Sequence, residues 1–509
     1  MGCTTKQYQK LSECNANLQQ EIMVLKSMLA SKIKTIHELQ EKIVLLRYHQ
    51  YGRKTEALSG LPRQLSLFDD AADDITEQVE AIDAKTEQVT YTRKKRKTKG
   101  RKIDTSHLPR EVVMHDLSEE EKKCGCGKCL TKIGEDRSEC LEFIPAVIKV
   151  VEHVRIKYTC RNCESIKMGP KPVKALAKSM AGNSLIVDIL IKKYAHHLPL
   201  YRQSKILAKL DIDIPDNTMG NWVMNAATLL APLGEALCAE LPNVRLLQVD
   251  ETTVQVIKPH KKGYMWVYQS LDPGNKFIFF EFSLGRSGDV PKKRLLDFSG
   301  IMQTDGYSGY NHFRDSKEVT TLGCWDHARR KFIDAVKVAN NNANGLAGQF
   351  IKLMGKLYKV EAEHKESITN ERYAARQQLS VPILNDIFAL AKRSNALPKS
   401  LLGKAIGYLL NNEPDLKAYA NYGDTQLTNI LTENQIRPFA IGRRNWLFVG
   451  TESSANKSAL VYSLIQSCEL NSINPRKYLS YIFKIIHDIR CGKVDVRSIL
   501  PQFIDKSLL

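Results

Sequence analysis

Residues 246–257 read LLQVDETTVQVI. The run is apolar and β-branched, the composition of a buried strand. Asp250 and Glu251 interrupt it. A carboxylate taken out of water is costly unless it is paired or binds a metal. Alternate side chains of a strand face opposite ways, so only one of two adjacent acids can face a given site. The expected register turns Asp250 toward the site and leaves Glu251 beside Val249 on the other face.

The segments that follow give this strand a position. GYMWVYQSL and KFIFFEFS read as two more strands, and a short helix is expected at about 290–297. Then come strand GIMQTDG, helical GYNHF, strand VTTLGC and a helix starting at WDHARRKF. Three strands, helix, strand, helix, strand, helix is the order of an α/β, ribonuclease-H-like mixed sheet. In that architecture the first strand is central, and an acid midway along it meets one at the end of the fourth. Here those are Asp250 and Asp305, the latter followed by Gly306, which lets the chain turn sharply. A third acid is expected on a helix beyond the fifth strand, and Glu433 in LTENQIRPF is the candidate. Three converging carboxylates raise one another's pKa values unless a cation joins them. Mg²⁺, or Mn²⁺ in its place, takes oxygen ligands, and two such ions ~3.5–4 Å apart suit phosphodiester chemistry.

The rest of the chain surrounds this core with other modules. A formal net charge of +19 over 509 residues calls for a polyanionic partner, most simply DNA. No run of 18 apolar residues and no apolar N-terminal leader is present, so no membrane partner is expected. The expected location is the bacterial cytoplasm, in association with the nucleoid. Within 1–50, Leu18, Leu25, Leu39 and Leu46 alternate with Ile22, Leu29, Ile36 and Ile43 in a heptad pattern. That pattern predicts a leucine-zipper coiled coil and a homodimer or higher homo-oligomer. Residues 51–105 read as a linker, acidic and then basic. Its run TRKKRKTKGRK includes Arg93, Lys94, Lys95, Arg96 and Lys97, candidates for phosphate contacts.

Residues 106–170 hold Cys124, Cys126 and Cys129 in CGCGKC and Cys160 and Cys163 in CRNC. Two cysteine knuckles some thirty residues apart fit a structural Zn²⁺ site better than disulfides. Cys160 and Cys163 form the clear second pair, whereas the first knuckle reads either as C-x-C or as C-x-x-C. The alternating segment before CRNC reads as a β-hairpin. Residues 171–245 are helical, and HLPLYRQSKILAKLDIDIPDNTMGNWVMNAA is compatible with a helix-turn-helix, with Asp216 or Asn217 capping the second helix. A catalytic domain is expected over 246–450 with a helical insertion at about 340–425, and a helical C-terminal region over 451–509.

With these motifs in this order, the chain resembles the transposases of the insertion-sequence 66 family over nearly its whole length. YGRKTEALSGLPRQLSLFD after the zipper, the cysteine segment from LPREVVMHDL to CRNCE, VDETTVQV, QTDGYSGYN, CWDHARRKF and NQIRPFAIGRRNWLFVGTESSANKSALVYSLIQSCELN carry the resemblance. It implies an aspartate–aspartate–glutamate transposase whose acids are Asp250, Asp305 and Glu433. It implies zinc ligands at Cys126, Cys160 and Cys163. The family's first cysteine falls at Lys123, so Cys124 takes its place with shortened spacing, and Cys129 is the alternative. It also implies DNA partners, the transposon ends and the target, and small accessory proteins. Near the last acid Asn429 is kept, while Ile430 and Asn434 depart from the family pattern. Cys324 and His327 form a C-x-x-H spacing shared with related transposases, which makes His327 an accessory candidate. Arg329, Arg330, Arg437, Arg443 and Arg444 are candidates for DNA phosphate contacts. Two other readings compete: a catalytically inactive, transposase-derived DNA-binding protein, and a ribonuclease-H-like DNA nuclease.

Overall fold

The computed structural model describes 174–338 and 345–509, residues 177 and 178 excepted. Before these it describes scattered positions between 15 and 43, the coil 148–152 and two short strands. The chain divides into two units, 75–172 and the remainder.

In the smaller unit, β1 (Lys157–Thr159) pairs antiparallel with β2 (Ile166–Met168). Residues 148–152 are not strand. Of the segment expected to form a hairpin ahead of CRNC, 148–152 is coil and β1 is a strand, paired instead with β2 after CRNC, while the rest lies outside the described residues. Cys124, Cys126, Cys129, Cys160, Cys163 and the basic positions 93–97 lie outside the described residues, as does Leu46.

The larger unit is built on a sheet of order β5-β4-β3-β6-β7, with β8 attached to β3. Its strands are β3 (Leu246–Lys258), β4 (Lys261–Ser270), β5 (Ile278–Ser283), β6 (Gly300–Gln303), β7 (Val319–Leu322) and β8 (Phe448–Thr451). The first three are antiparallel neighbours, whereas β6 and β8 run parallel to β3, and β7 runs parallel to β6. LLQVDETTVQVI is thus the central strand. On one side β3 pairs with β4 over nearly its whole length. On the other it pairs with β6 only at 246–248 and with β8 only from 255. Between them lies a gap in the ladder, and the two acids occupy it.

The helices before the sheet are α1 (Asn183–Tyr194), α2 (Leu200–Ala208), α3 (Asp216–Leu229) and α4 (Ala231–Ala239). The α2–α3 pair matches the two helical patterns expected there. Pro215, not Asp216 or Asn217, takes the N-cap, since its fixed φ already suits a residue entering a helix. Asp216 falls in the first turn, where its charge favours the helix dipole. Between the strands run α5 (Asp289–Arg294) and α6 (Asn311–Arg314). After β7 come α7 (Trp325–Val338), α8 (Leu346–Glu363), α9 (Thr369–Ala375), α10 (Val381–Arg393), α11 (Leu401–Asn411) and α12 (Glu413–Ala418). Next follow α13 (Ile430–Trp446), α14 (Glu452–Leu470) and α15 (Pro475–Arg490).

Two hydrophobic cores result. One joins α1–α4, a face of the sheet, α14 and α15, and includes Leu190, Val223, Phe280, Tyr462 and Phe483. The other holds α7 to the inserted helices through Trp325, Phe332, Phe350 and Phe388. The first core runs through the boundaries drawn at 245/246 and 450/451, so the flanking helices pack as parts of the same unit. Helix α14 also protects an edge strand. Ser463 and Ser467, one turn apart, accept hydrogen bonds from the Phe280 and Ile278 amides at 2.8 and 3.0 Å. An open edge would expose those donors to pairing with another chain. Among the described residues, no single helix is long and apolar enough to cross a membrane.

Candidate active site

Two buried glutamines explain why the acids meet. Gln248 on β3 and Gln303 on β6 are paired in the parallel register, and the Gln248 amide donates to Gln303 Oε1 at 2.7 Å. Each stands two residues before an acid, so the register carried two residues on sets Asp250 level with Asp305. Glutamine is isosteric with glutamate but carries donors, so two of them can sit side by side without repulsion. The pair also reaches forward in the chain. Gln248 donates to the Thr428 carbonyl at 3.0 Å, and its Oε1 accepts from the Thr432 amide at 3.2 Å. Gln303 donates to the Gln426 carbonyl at 2.9 Å. These bonds clamp the start of α13 onto the sheet and bring Glu433, in its first turn, to the acids.

Asp250 and Asp305 are half-buried and Glu433 is buried. Desolvation, then the charges of Asp305, Glu251 and Glu433, hold the Asp250 carboxyl well above the usual carboxylate range. That set of neighbours places all three expected acids in one electrostatic site. The Asn429 amide donates to Asp250 Oδ2 at 3.2 Å, and its own Oδ1 is buried without a hydrogen-bond partner. Cys324 Sγ accepts from the Asn429 amide nitrogen at 3.5 Å. His327, one turn along α7, faces Glu433 with Nδ1 3.7 Å from Oε1, and Arg330 lies 4.0 Å from Oε2. Burial lowers the His327 pKa, with Asp305 acting against that shift. The C-x-x-H motif thus supports the third acid, with the thiol on its approach and the imidazole at its carboxylate.

Asp305 is fixed by the turn after β6. Its Oδ1 accepts from the Tyr307 amide at 2.8 Å, and Gly306 takes φ +79°, in the left-handed region that favours glycine. The insertion reaches this turn from outside. Tyr408 on α11 donates to the Asp305 carbonyl at 2.7 Å. A Cβ on Gly306 would stand 3.0 Å from that hydroxyl and 3.1 Å from Asn412 Oδ1. Sequence reasoning missed Tyr408, because a tyrosine about a hundred residues downstream carries no local signal of this contact.

Glu251 is more than a neighbour on the far face. Its side chain is almost fully buried, ion-paired to Arg286, whose Nε donates to Oε1 at 2.7 Å. Tyr310 donates to Oε2 at 2.7 Å. Burial first, and then Asp305, raise its pKa, against these two donors. Arg286 stacks on the Tyr307 ring 3.9 Å away. A chain of contacts therefore links Glu251, through Arg286 and Tyr307, to Asp305.

The arginine candidates separate. Arg329 is 4% exposed, with its guanidinium over the Tyr358 ring, which removes it from a duplex surface. Arg443 is half-buried and donates to Thr252 Oγ1 at 3.1 Å, so it braces β3. Arg437 and Arg444 are exposed.

As a donor set, Asp250, Asp305 and Glu433 suit hard divalent cations: all-oxygen, mutually repelling and partly desolvated. Among the described residues no trio of histidine, cysteine, aspartate or glutamate is already close enough to ligate one ion. Mg²⁺ is commonly held by one or two carboxylates with substrate phosphate and water completing its shell, and this arrangement fits that mode rather than an all-protein cage.

Comparison with known proteins agrees with this architecture. Residues 178–457 match the model described as "Transposase IS66 family", which spans the sheet and all three acids. Residues 121–164 match the zinc-finger binding domain of transposase IS66, and 38–113 match the model "Transposase C of IS166 homeodomain". Similar full-length relatives are uncharacterized proteins of Sinorhizobium fredii. y4jD is 29% identical over 476 residues, covering 89% of this chain and 92% of the relative. y4hP is 30% identical over 477 residues, covering 88% and 86%. The matched model covers more than half of the chain, its zinc-finger and N-terminal companions lie in the expected order, and the chain belongs to the IS66 family of transposases.

Proposed function

We propose that the protein is a DNA transposase that binds transposon terminal inverted repeats and performs metal-dependent strand cleavage and strand transfer. The observation that carries this is the Gln248–Gln303 register, which sets Asp250 level with Asp305 while the same glutamines draw in the helix of Glu433. The strand order supports a ribonuclease-H-like reading of the core. Asp250, Asp305 and Glu433 are assigned as the ligands of Mg²⁺ or Mn²⁺. Bound there, two such cations would activate the attacking oxygen and stabilise the leaving one.

The chain's own groups prepare that chemistry. Asn429 orients Asp250, Tyr307 and Tyr408 fix Asp305, and His327 stands at Glu433. Cleavage adds water across a phosphodiester and frees a 3′-hydroxyl. In strand transfer that hydroxyl displaces another 3′-oxygen at a target phosphate, so the number of phosphodiester bonds is conserved. No covalent protein–DNA intermediate is required.

The zinc-finger match supports structural Zn²⁺, with Cys124, Cys126, Cys160 and Cys163 as the assigned ligands and Cys129 as the alternative to the first of these. The exposed stripe of Leu18, Ile22, Leu25, Leu29, Ile36, Leu39 and Ile43 supports a coiled-coil dimer, which would hold two transposon ends together. The test is nicking of terminal-repeat DNA with Mg²⁺ or Mn²⁺. Cleavage that vanishes in Asp250→Asn supports the enzyme. Binding without cleavage in the unsubstituted protein would instead identify an inactive DNA-binding derivative.

A further inference from the structure

Above the acids, β3 opens onto an uncovered part of the sheet. Val254 and Val256 are buried at 1% and 0%, while Thr253 and Gln255 are half-exposed and Ile257 is exposed. The pairing register aligns three side chains across this face: Lys262 on β4, Gln255 on β3 and Phe448 on β8. Tyr264 lies opposite Thr253 in the row below, and Trp266 opposite Glu251 in the next. Counted by twos along β3, the shelf shares the face of Glu251, opposite that of Asp250. At ~3.3 Å per residue, Gln255 stands roughly 17 Å along the strand from Asp250.

Two features of the shelf point to its occupant. Phe448 is 49% exposed, and Leu447 beside it is 64% exposed at φ +63°, a backbone position that disfavours a leucine. The fold holds an aromatic ring and an apolar side chain out in solvent. The hairpin alongside carries exposed Lys258, Lys261 and Lys262, and no acid occurs anywhere in 252–271 or 434–451. A flat strand surface with an exposed ring and a cationic margin is the chemistry that stacks unpaired bases while gripping their phosphates.

We infer that this shelf binds a DNA single strand, with a base stacked on Phe448 and phosphates against the lysine hairpin. The inference rests on the transposase reading for its partner, DNA, but not for its test. The full-length, zinc-loaded protein is titrated with a fluorescent single-stranded oligonucleotide in buffer free of Mg²⁺ and Mn²⁺, by anisotropy, across a range of salt. Phe448→Ala weakens binding about 10-fold, and Phe448→Trp restores it whereas Phe448→Leu does not. Replacing Lys258, Lys261 and Lys262 together by Ala lowers the salt slope by about 2. Gln255→Glu, a change at a half-exposed position outside the buried core, weakens binding in the same direction.

Unchanged affinity and salt slope in variants with the parent's thermal midpoint overturn the inference. So does a fall in oligomeric mass with DNA binding intact, which would make the shelf a contact between copies of this chain. No Mg²⁺ or Mn²⁺ is present, so the outcome is independent of cleavage. A protein that nicks nothing with Mg²⁺ yet loses affinity on Phe448→Ala would sink the catalytic reading and leave the shelf standing.

Discussion

The two ends of β3 are built from opposite materials. At 246–248 the strand is fully buried between β4 and β6, with Gln248 locked into a network of side-chain and carbonyl partners. From 255 to 258 it lies between β4 and the short β8, carries exposed side chains and ends in a lysine-rich turn. Rigidity is concentrated below the acids and accessibility above them. A protein that must hold carboxylates in place yet bind a polymer needs both, and one strand supplies them in succession, the rigid part on the face of Asp250 and the accessible part on that of Glu251. Buried hydrogen bonds are strong constraints because breaking one leaves a desolvated donor or acceptor. Exposed cations constrain little, but they remain free to meet phosphates.

The largest way to break this contrast is at the gap between the two ends. Asp250→Asn or Asp305→Asn should lower metal-dependent nicking by roughly three orders of magnitude, since either change removes a proposed metal ligand. A gel assay on terminal-repeat DNA checks this, and residual cleavage near the parent level would exclude these acids as the ligands. The same Asp250→Asn should raise the metal-free melting temperature. The native pKa of Asp250 lies well above its unfolded value of 3.8, so the folded state binds a proton more tightly than the unfolded state does. The associated stability is fully present below that value and is lost as pH rises through the higher, native pKa. Thermal melts of the parent without Mg²⁺ or Mn²⁺ should therefore show stability falling with pH above about 4 from this residue, and the asparagine variant should flatten that dependence.

At the buried end, Gln303→Leu should cost about 1–3 kcal/mol, because Gln248 and two backbone carbonyls lose their partner. Urea titration measures it, and a neutral result would mean the network does not fix the register. Gly306→Ala should cost about 1–2 kcal/mol, from a positive φ and the close Tyr408 hydroxyl. Smaller still is Tyr408→Phe, about 0.5–1.5 kcal/mol. If Tyr408 positions Asp305, nicking at saturating DNA falls while DNA affinity holds. A loss of affinity alone would make the contact merely structural.

Much of the sheet was legible in the sequence because strands declare themselves locally. The β-branched run at 246, the aromatic-rich runs at 264 and 277 and the glycine after Asp305 each carry their own signal, and the structure has strands at the first three and a left-handed turn at Gly306. Other features were invisible for a physical reason. Nothing local in Phe448–Thr451 says that it will pair with β3, since a four-residue edge strand is specified by its partner. Nothing local marks Ser463 and Ser467 of α14 as partners of a strand edge, because the contact exists only once β5 lies against them. Arg329 looked like a surface cation, yet α7 turns it inward over Tyr358. Glu251 looked idle until Arg286 and Tyr310, about 35 and 59 residues away, closed on it.

By itself the sequence determined which residue types carry the chemistry: acids on strands, a glycine to turn the chain, cysteines in knuckles and a basic balance. These follow from local composition and from the cost of burying charge. Only the tertiary structure decided what those residues meet. The register of Gln248 with Gln303 aligns two acids separated by more than fifty positions, and the clamp on α13 brings in a third from further still. Such contacts are set by the pairing of whole strands and helices, so no single stretch of the chain contains them.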